Sequence, residues 1–218
     1  MRHVEIEAFG RERFLADLRR DLESKRYRPD AVLWVLIPKA KGWERPPSIP
    51  TVRDRVLQAA VKLVLAPIFE ADFTADAYGY RPRRNAHDAV REVHRSLNAG
   101  YMHVVDADLS KYFDTIPHAE LLRSVSRRVS DGAILHLIKL WLKAPIEVRS
   151  QRGRSTRMRP GNRGTPQGGV LSPLLANIYM RRFLLAWERR GNDRRYGSRI
   201  VNYADDCAPR RRREETAM

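Results

Sequence analysis

Between Arg11 and Leu22 the apolar residues Phe14, Leu15, Leu18 and Leu22 recur at three- and four-residue steps. That period predicts an amphipathic helix with a basic outer face. Val32 to Ile37 is instead a short continuous apolar run, closed by Pro38 and followed by a Lys/Gly/Pro-rich turn and a second short segment. This predicts two strands joined by a basic loop. Helical spacing returns at Val52, Val56, Leu57, Ala60, Leu63 and Val64, with Pro67 near the end, and at Ala86, Ala89, Val90, Val93 and Leu97, stopped by Gly100.

In the second half the period changes to two, with Val105, Ala107 and Leu109 alternating with Val104, Asp106 and Asp108, as in a strand. Two helices are predicted next, one marked by Leu121, Leu122, Val125 and Val129, the other by Ile134, Leu135, Ile138 and Trp141 with Asp131 as its N-cap. The Gly/Arg-rich stretch EVRSQRGRSTRMRPGNRGTPQGG reads as a loop or hairpin. Ser172-Pro173 then has the chemistry of a helix start, leading through Leu174, Leu175, Ile178, Tyr179 and Phe183. Arg199 to Tyr203 is the last predicted strand. With few strands, many helices, no internal repeat and no long linker, the fold class is α+β.

The chain's 218 residues can bury a sizeable core in one domain or two packed lobes. Its 42 Lys and Arg against 26 Asp and Glu leave a net charge of +16, which makes a polyanion, nucleic acid first, the expected partner. No apolar run approaches the roughly 18 residues of a membrane span, and the first residues lack the apolar core of a secretory signal. A cytoplasmic location is expected. The single cysteine, Cys207, forms no internal disulfide or zinc site and reads as a small strand residue. His87 and His94 read as surface residues and His118 as structural.

One feature resists that bland reading: Asp205 and Asp206 directly follow an apolar strand, and Asp108 closes another. If the strands are neighbours in one sheet, three carboxylates converge, and they repel unless a divalent cation sits among them. Magnesium suits such oxygen ligands, and two ions about 3.5 to 4 Å apart support in-line nucleotidyl transfer.

The segments DLSKYFD, GTPQGGVLSPLLANIYM and YADD occur in that order with helices between them. They resemble palm motifs A, B and C of reverse transcriptases. VVDADLSKYFDTIPH and GTPQGGVLSPLLANIYM are similar to the bacterial group II intron reverse transcriptase/maturase family. Upstream, IPKAKGWERPPSIPTVRDRVLQAA, LAPIFEADF and YGYRPRRNAHDAV resemble its fingers segments, so the likeness runs from Tyr27 to Cys207. The resemblance implies fingers over residues 1–100 and a palm over 101–207, with a small antiparallel palm sheet backed by helices. It implies an RNA-directed DNA polymerase that uses two Mg²⁺ ions, an RNA template such as intron RNA, a DNA primer and dNTPs. Asp108, the Leu109 carbonyl and Asp205 would hold the metals, with Asp206 as the supporting acid. Lys39 and Arg45 would hold the triphosphate, Gln167 and Gly168 would lie beside the templating base, Tyr203 would border the nucleotide, and Phe113 would sit beneath the sugar and exclude a 2′-hydroxyl. Arg81, Arg83, Arg84 and Arg163 are expected to contact phosphates.

After YADDC the chain departs from that family with APRRRREETAM. Pro209 cannot donate to a sheet ladder and consecutive arginines repel, so loss of the second hairpin strand and a disordered basic tail over 208–218 are expected. The sequence then reads as a truncated segment without a thumb. A non-catalytic RNA-binding maturase remnant and an inactive relic are the alternatives to a working polymerase.

Overall fold

The computed structural model describes residues 10–34, 37–38, 44–45, 48–149 and 155–211. The first periodic segment forms helix α1 (Arg11–Glu23), which buries Phe14 and Leu18 and leaves Leu15 exposed. Strands β1 (Val32–Trp34), β2 (Ile37–Pro38), β3 (Glu44–Arg45) and β4 (Ser48–Ile49) follow. β1 pairs with β4 and β2 with β3, both antiparallel and in one register, which is the expected strand pair around a basic loop. Helix α2 (Val52–Glu70) is capped by the Thr51 side chain and carries Pro67 near its end, while α3 (Ala86–Asn98) opens on a capping box between Asn85 and Asp88.

A buried polar network fastens α2 to the rest of the chain. Asp54, 2% exposed, accepts from the Tyr27 hydroxyl at 2.6 Å, from Thr51 Oγ1 at 2.8 Å and from the Asp30 N–H at 3.1 Å. The Trp141 indole N–H donates to the Tyr27 hydroxyl at 2.7 Å. Tyr27→Phe would orphan that indole donor and remove one acceptor bond from Asp54. The expected loss is about 1–3 kcal/mol of stability, visible as a lower denaturant midpoint with an unchanged m-value; an unchanged midpoint would count against the network.

Strands β5 (His103–Val104) and β6 (Ala107–Asp108) precede the short helix α4 (Tyr112–Thr115), then α5 (His118–Ser126) and α6 (Gly132–Leu142). Asp131 caps α6 as expected, accepting from the N–H groups of Ala133 and Ile134. The Gly/Arg-rich stretch is a hairpin, β7 (Ile146–Arg149) and β8 (Ser155–Met158), and β7 also pairs parallel to β1. That gives one sheet in the order β4-β1-β7-β8.

Helix α7 (Ser172–Arg189) buries Leu174, Leu175, Ala176, Ile178, Met180 and Leu184, and so runs through the core. Its N-cap is Leu171, one residue before the expected Ser172. A short α8 (Asn192–Arg195) leads into β9 (Ser198–Tyr203) and β10 (Asp206–Arg211). β10 overturns an expectation. The second hairpin strand is present, paired to β9 from Asp206↔Tyr203 to Arg211↔Ser198, and residues 208–211 belong to it instead of to a tail. On its other side β10 pairs with β6 at Asp206↔Asp108 and Cys207↔Ala107, and with β5 at Arg210↔Val104 and Arg211↔His103. The ladder is interrupted between β6 and β5, at the register positions opposite Ala208 and Pro209. The proline's missing donor thus costs a local gap in one ladder and not the strand. The result is an α+β molecule with a small antiparallel sheet backed by helices. Among the described residues no helix is long and apolar enough to cross a membrane.

Candidate active site

The alternation along β6 and β10 decides which groups face the same way. Ala107 and buried Cys207 are partners on the inward side, and the Asn202 amide donates to the Cys207 sulfur at 3.2 Å. Asp206 therefore stands on the outer side, between Asp108 on one neighbouring strand and Tyr203 on the other. Asp205 occupies the hairpin turn, and its carbonyl accepts from the Leu109 N–H at 3.2 Å. Asp108, Leu109, Asp205 and Asp206 are thus brought to one end of one sheet. The Asp206 carboxyl is held above the ordinary carboxylate range, first by desolvation and then by the negative charges of Asp205, Asp108 and Asp106.

That turn is braced from behind by residues the sequence reading passed over. Asn202, 1% exposed, donates from its amide to the carbonyls of Ala204 at 3.0 Å and Asp206 at 3.1 Å. The segment before Tyr80 lies along β9: the Tyr78 N–H donates to the Asn202 carbonyl and the Asn202 N–H to the Asp76 carbonyl, both at 2.8 Å. Asn177 on α7 donates to the Gly79 carbonyl at 2.7 Å. Ala204 sits at φ 60°, a left-handed conformation that costs a residue with a Cβ. A polar residue in the apolar run IVNY was the one available signal for Asn202; Gly79 and Asn177 carried none.

In front of the acids lies a cleft of about 820 Å³, lined among others by Asp108, Phe113, Arg163, Gln167 and Asp205. Phe113, 8% exposed, contacts Tyr80 and Tyr112 edge-on at centroid distances of 6.1 and 5.9 Å. Gln167 donates from its amide to both oxygens of Asp114 at 3.1 Å, and its carbonyl accepts from the Ser48 N–H. Gly168 has φ +109°, and a Cβ there would come within 2.5 Å of the Ser48 carbonyl oxygen, so glycine is required. His118 is structural, as expected: its Nε2 donates to the Gly164 carbonyl at 2.7 Å, and burial pushes its pKa down.

Other expected contacts fall elsewhere. Arg81 is a correction: it is buried, pairs with Glu70 at 2.7 Å and donates to the carbonyls of Thr74 and Ala77, which leaves no donor face for a phosphate. Arg84 donates to the carbonyls of Ala75 and Ala77 and stacks over Tyr78, so both arginines brace the segment behind the acidic turn. Arg83 is exposed but is not among the cleft-lining residues. Tyr203 is half-buried and also outside the cleft lining. Lys39 lies outside the described residues, and of Arg45 only the backbone, in β3, is described.

The donor set fits a hard divalent cation: carboxylates and a backbone carbonyl, with the negative charges of Asp205, Asp108 and Asp106 adding to desolvation in raising the Asp206 carboxyl. Among the described residues no three His, Cys, Asp or Glu side chains are grouped closely enough to hold a metal ion by themselves. A pH dependence follows. A carboxyl raised in the fold contributes stability that is complete below its unfolded pKa of about 3.9 and lost as pH rises through the folded value. Without divalent metal, stability should therefore rise as pH falls through the Asp206 range. Added Mg²⁺ should raise the Tm at neutral pH and lose that effect on acidification. Thermal unfolding with and without Mg²⁺ across pH checks this; a Mg²⁺ shift independent of pH contradicts it.

Residues 37–215 match the family described as reverse transcriptase (RNA-dependent DNA polymerase). Among curated proteins the chain is 42% identical over 171 residues to Protein YkfC of Escherichia coli strain K12, covering 76% of this chain and 43% of that protein. It is 35% identical over 160 residues to the group II intron-encoded protein LtrA of Lactococcus lactis subsp. cremoris, covering 73% of this chain and 26% of that one. The chain thus spans less than half the length of these relatives. Among solved structures, apo telomerase from Candida tropicalis truncated from its C-terminal domain shares the fold at TM-score 0.64 and 14% identity, over 85% of this chain and 44% of that one. A partial Cas6-RT-Cas1–Cas2 complex does so at TM-score 0.53 and 24% identity, over 94% and 34%. An ordered trio of motifs, an acidic sheet end and a match over most of the sequence agree: the chain belongs to the reverse transcriptase family and groups with the group II intron-encoded reverse transcriptase/maturases.

Proposed function

We propose that the cleft is the site of RNA-directed DNA synthesis, in which a primer 3′-hydroxyl attacks a dNTP and pyrophosphate leaves. The observation that carries this reading is the register pair Asp206↔Asp108 beside the Leu109–Asp205 hydrogen bond, which gathers acids that lie far apart in sequence. Asp108, Asp205 and the Leu109 carbonyl would hold two Mg²⁺ ions, with Asp206 in support. When bound, such ions activate the attacking oxygen and stabilise the leaving one. Residues 1–100 act as fingers, with Lys39 and Arg45 meeting the triphosphate, and 101–207 as the palm. Gln167, anchored on Asp114, and Gly168, pressed against Ser48, position the template beside the incoming nucleotide. Intron RNA is the template class, a DNA primer the second strand, and a bacterial cytoplasm the setting.

Phe113 sets the sugar. Its buried ring, wedged against Tyr80 and Tyr112, gives the nucleotide sugar a fixed wall where a 2′-hydroxyl would have to sit. Phe113→Val is expected to raise ribonucleotide use relative to deoxynucleotides by about tenfold or more, measured as the ratio of incorporation efficiencies; an unchanged ratio would remove Phe113 from this role.

Primer extension on an RNA template tests the whole reading. Mg²⁺-dependent product from this chain supports it. RNA binding without any synthesis supports a non-catalytic RNA-binding maturase role instead.

A further inference from the structure

Away from the cleft, a second concavity of about 530 Å³ is formed by α7, the end of α5 and the end of α2; it shares no lining residue with the first. Its wall holds Arg127, Arg128, Arg181, Arg182, Arg189 and Arg190 over an apolar floor of Phe69, Ile178 and Leu185. The single acid in that lining, Asp72, is already committed to Arg128 and Arg181. Arg182 pairs with Glu120 at 2.8 Å. Arg127, Arg189 and Arg190 are exposed and have no partner among the described residues. Cations at helix C-termini are common, but one or two per terminus satisfy the local carbonyls, and six in one groove exceed that.

An aromatic row lies on the adjoining side of α7, outside the lining of the groove. Phe183, 45% exposed, meets Trp187 at 6.1 Å, and Trp187 meets Tyr196, 44% exposed, at 6.2 Å. Arg195 lies over the Tyr196 ring at 5.5 Å, and Arg182 over Tyr179 at 5.3 Å. Phe183 and Trp187 are one turn apart on α7, next round the helix from Arg182 and Ala186. Exposed rings on the adjoining side of α7 and a groove in which three of the six arginines have no partner among the described residues are the two elements of single-strand binding: phosphates track the cations while bases stack on the ring faces.

We infer that the α7 groove, with the adjoining aromatic row, is a second binding surface for single-stranded RNA, separate from the catalytic cleft. It takes from the proposed function only the choice of RNA as the polyanion. Phosphates pair with Arg127, Arg189 and Arg190, and bases stack on Phe183 and Tyr196. Duplex RNA, with its bases already stacked, gains only the electrostatic part.

The test uses the full chain and a fluorescent oligouridylate longer than the ~16 nucleotides of a large single-strand footprint, with anisotropy read over a KCl series. Combined Arg127→Glu, Arg189→Glu and Arg190→Glu is expected to weaken binding tenfold or more and flatten the log–log salt slope by about two, the share of three phosphate contacts. Phe183→Ala should weaken binding several-fold and leave the slope unchanged. Arg11→Glu, Lys25→Glu and Arg55→Glu combined is the control, with the same change of net charge at exposed positions outside the groove lining. If the groove triple matches that control, or if the unaltered chain does not bind the oligonucleotide, the inference is overturned. Primer extension plays no part in this readout, so an inactive cleft and a non-binding groove are told apart.

Discussion

Asp205→Asn is expected to reduce primer extension by about a thousandfold or more while leaving the chain folded and at least as heat-stable without divalent metal. Both halves come from the same geometry. Asparagine keeps the size of the side chain and the backbone carbonyl that accepts from the Leu109 N–H at 3.2 Å, so the turn retains its link to motif A. It removes one of the negative charges that hold the Asp206 carboxyl up, which relieves repulsion in the metal-free state. What is lost is a ligand charge at the point where the acids converge, and metal-assisted stabilisation of a phosphoryl transition state amounts to several kcal/mol. A merely structural Asp205 predicts the reverse pair, lowered stability with activity retained. Differential scanning calorimetry without metal, beside single-turnover extension with Mg²⁺, separates the two.

Gly79→Ala should be nearly as damaging, from a residue that touches no substrate. A Cβ at Gly79 would run into the Ala204 amide nitrogen, with Ala204 Cα at 3.1 Å and the Tyr203 carbonyl carbon at 3.2 Å. Neither side can yield cheaply. The Gly79 carbonyl is held by Asn177, Tyr78 is bonded to the Asn202 backbone, and the Asn202 amide grips the turn itself. Overpacking of this kind costs about 1–3 kcal/mol, so the chain should fold with a lowered Tm. The displacement falls on the Ala204–Asp205 turn, and a shift near 1 Å at a catalytic group costs about a hundredfold in rate. Extension within threefold of the parent would show that the segment before Tyr80 does not position the acids.

Helices α1, α5 and α6 were legible because each buries a stripe: Phe14 and Leu18, Leu121 and Val125, and Ile138 and Trp141 lie where the spacing put them, whereas Leu63 and Val64 in α2 and Val90 in α3 are exposed. The acidic convergence was legible because the strand alternation puts Asp106 and Asp108 on one face and the motifs occur in order. What the sequence hid is long-range. Arg81 stands in a basic run that resembles a phosphate contact, and nothing local shows that Glu70, eleven residues earlier, closes on it. The support of the turn by Gly79, Asn177 and Asn202 joins three distant segments through single hydrogen bonds and one close backbone approach. The hairpin strand forms against expectation because the rule against proline in a central strand concerns one donor, whereas six register pairs to β9 hold β10 in place.

Manganese uptake tests most directly whether Asp108, Asp205 and Asp206 form a metal-dependent catalytic centre. Mn²⁺ titration followed by electron paramagnetic resonance, with primer–template and dNTP present, should show tight sites in the parent chain. Those sites should be lost in both Asp108→Asn and Asp205→Asn. Equal tight uptake by the parent and both variants would contradict the account, because the acids at the end of this sheet would then not be what holds the ions.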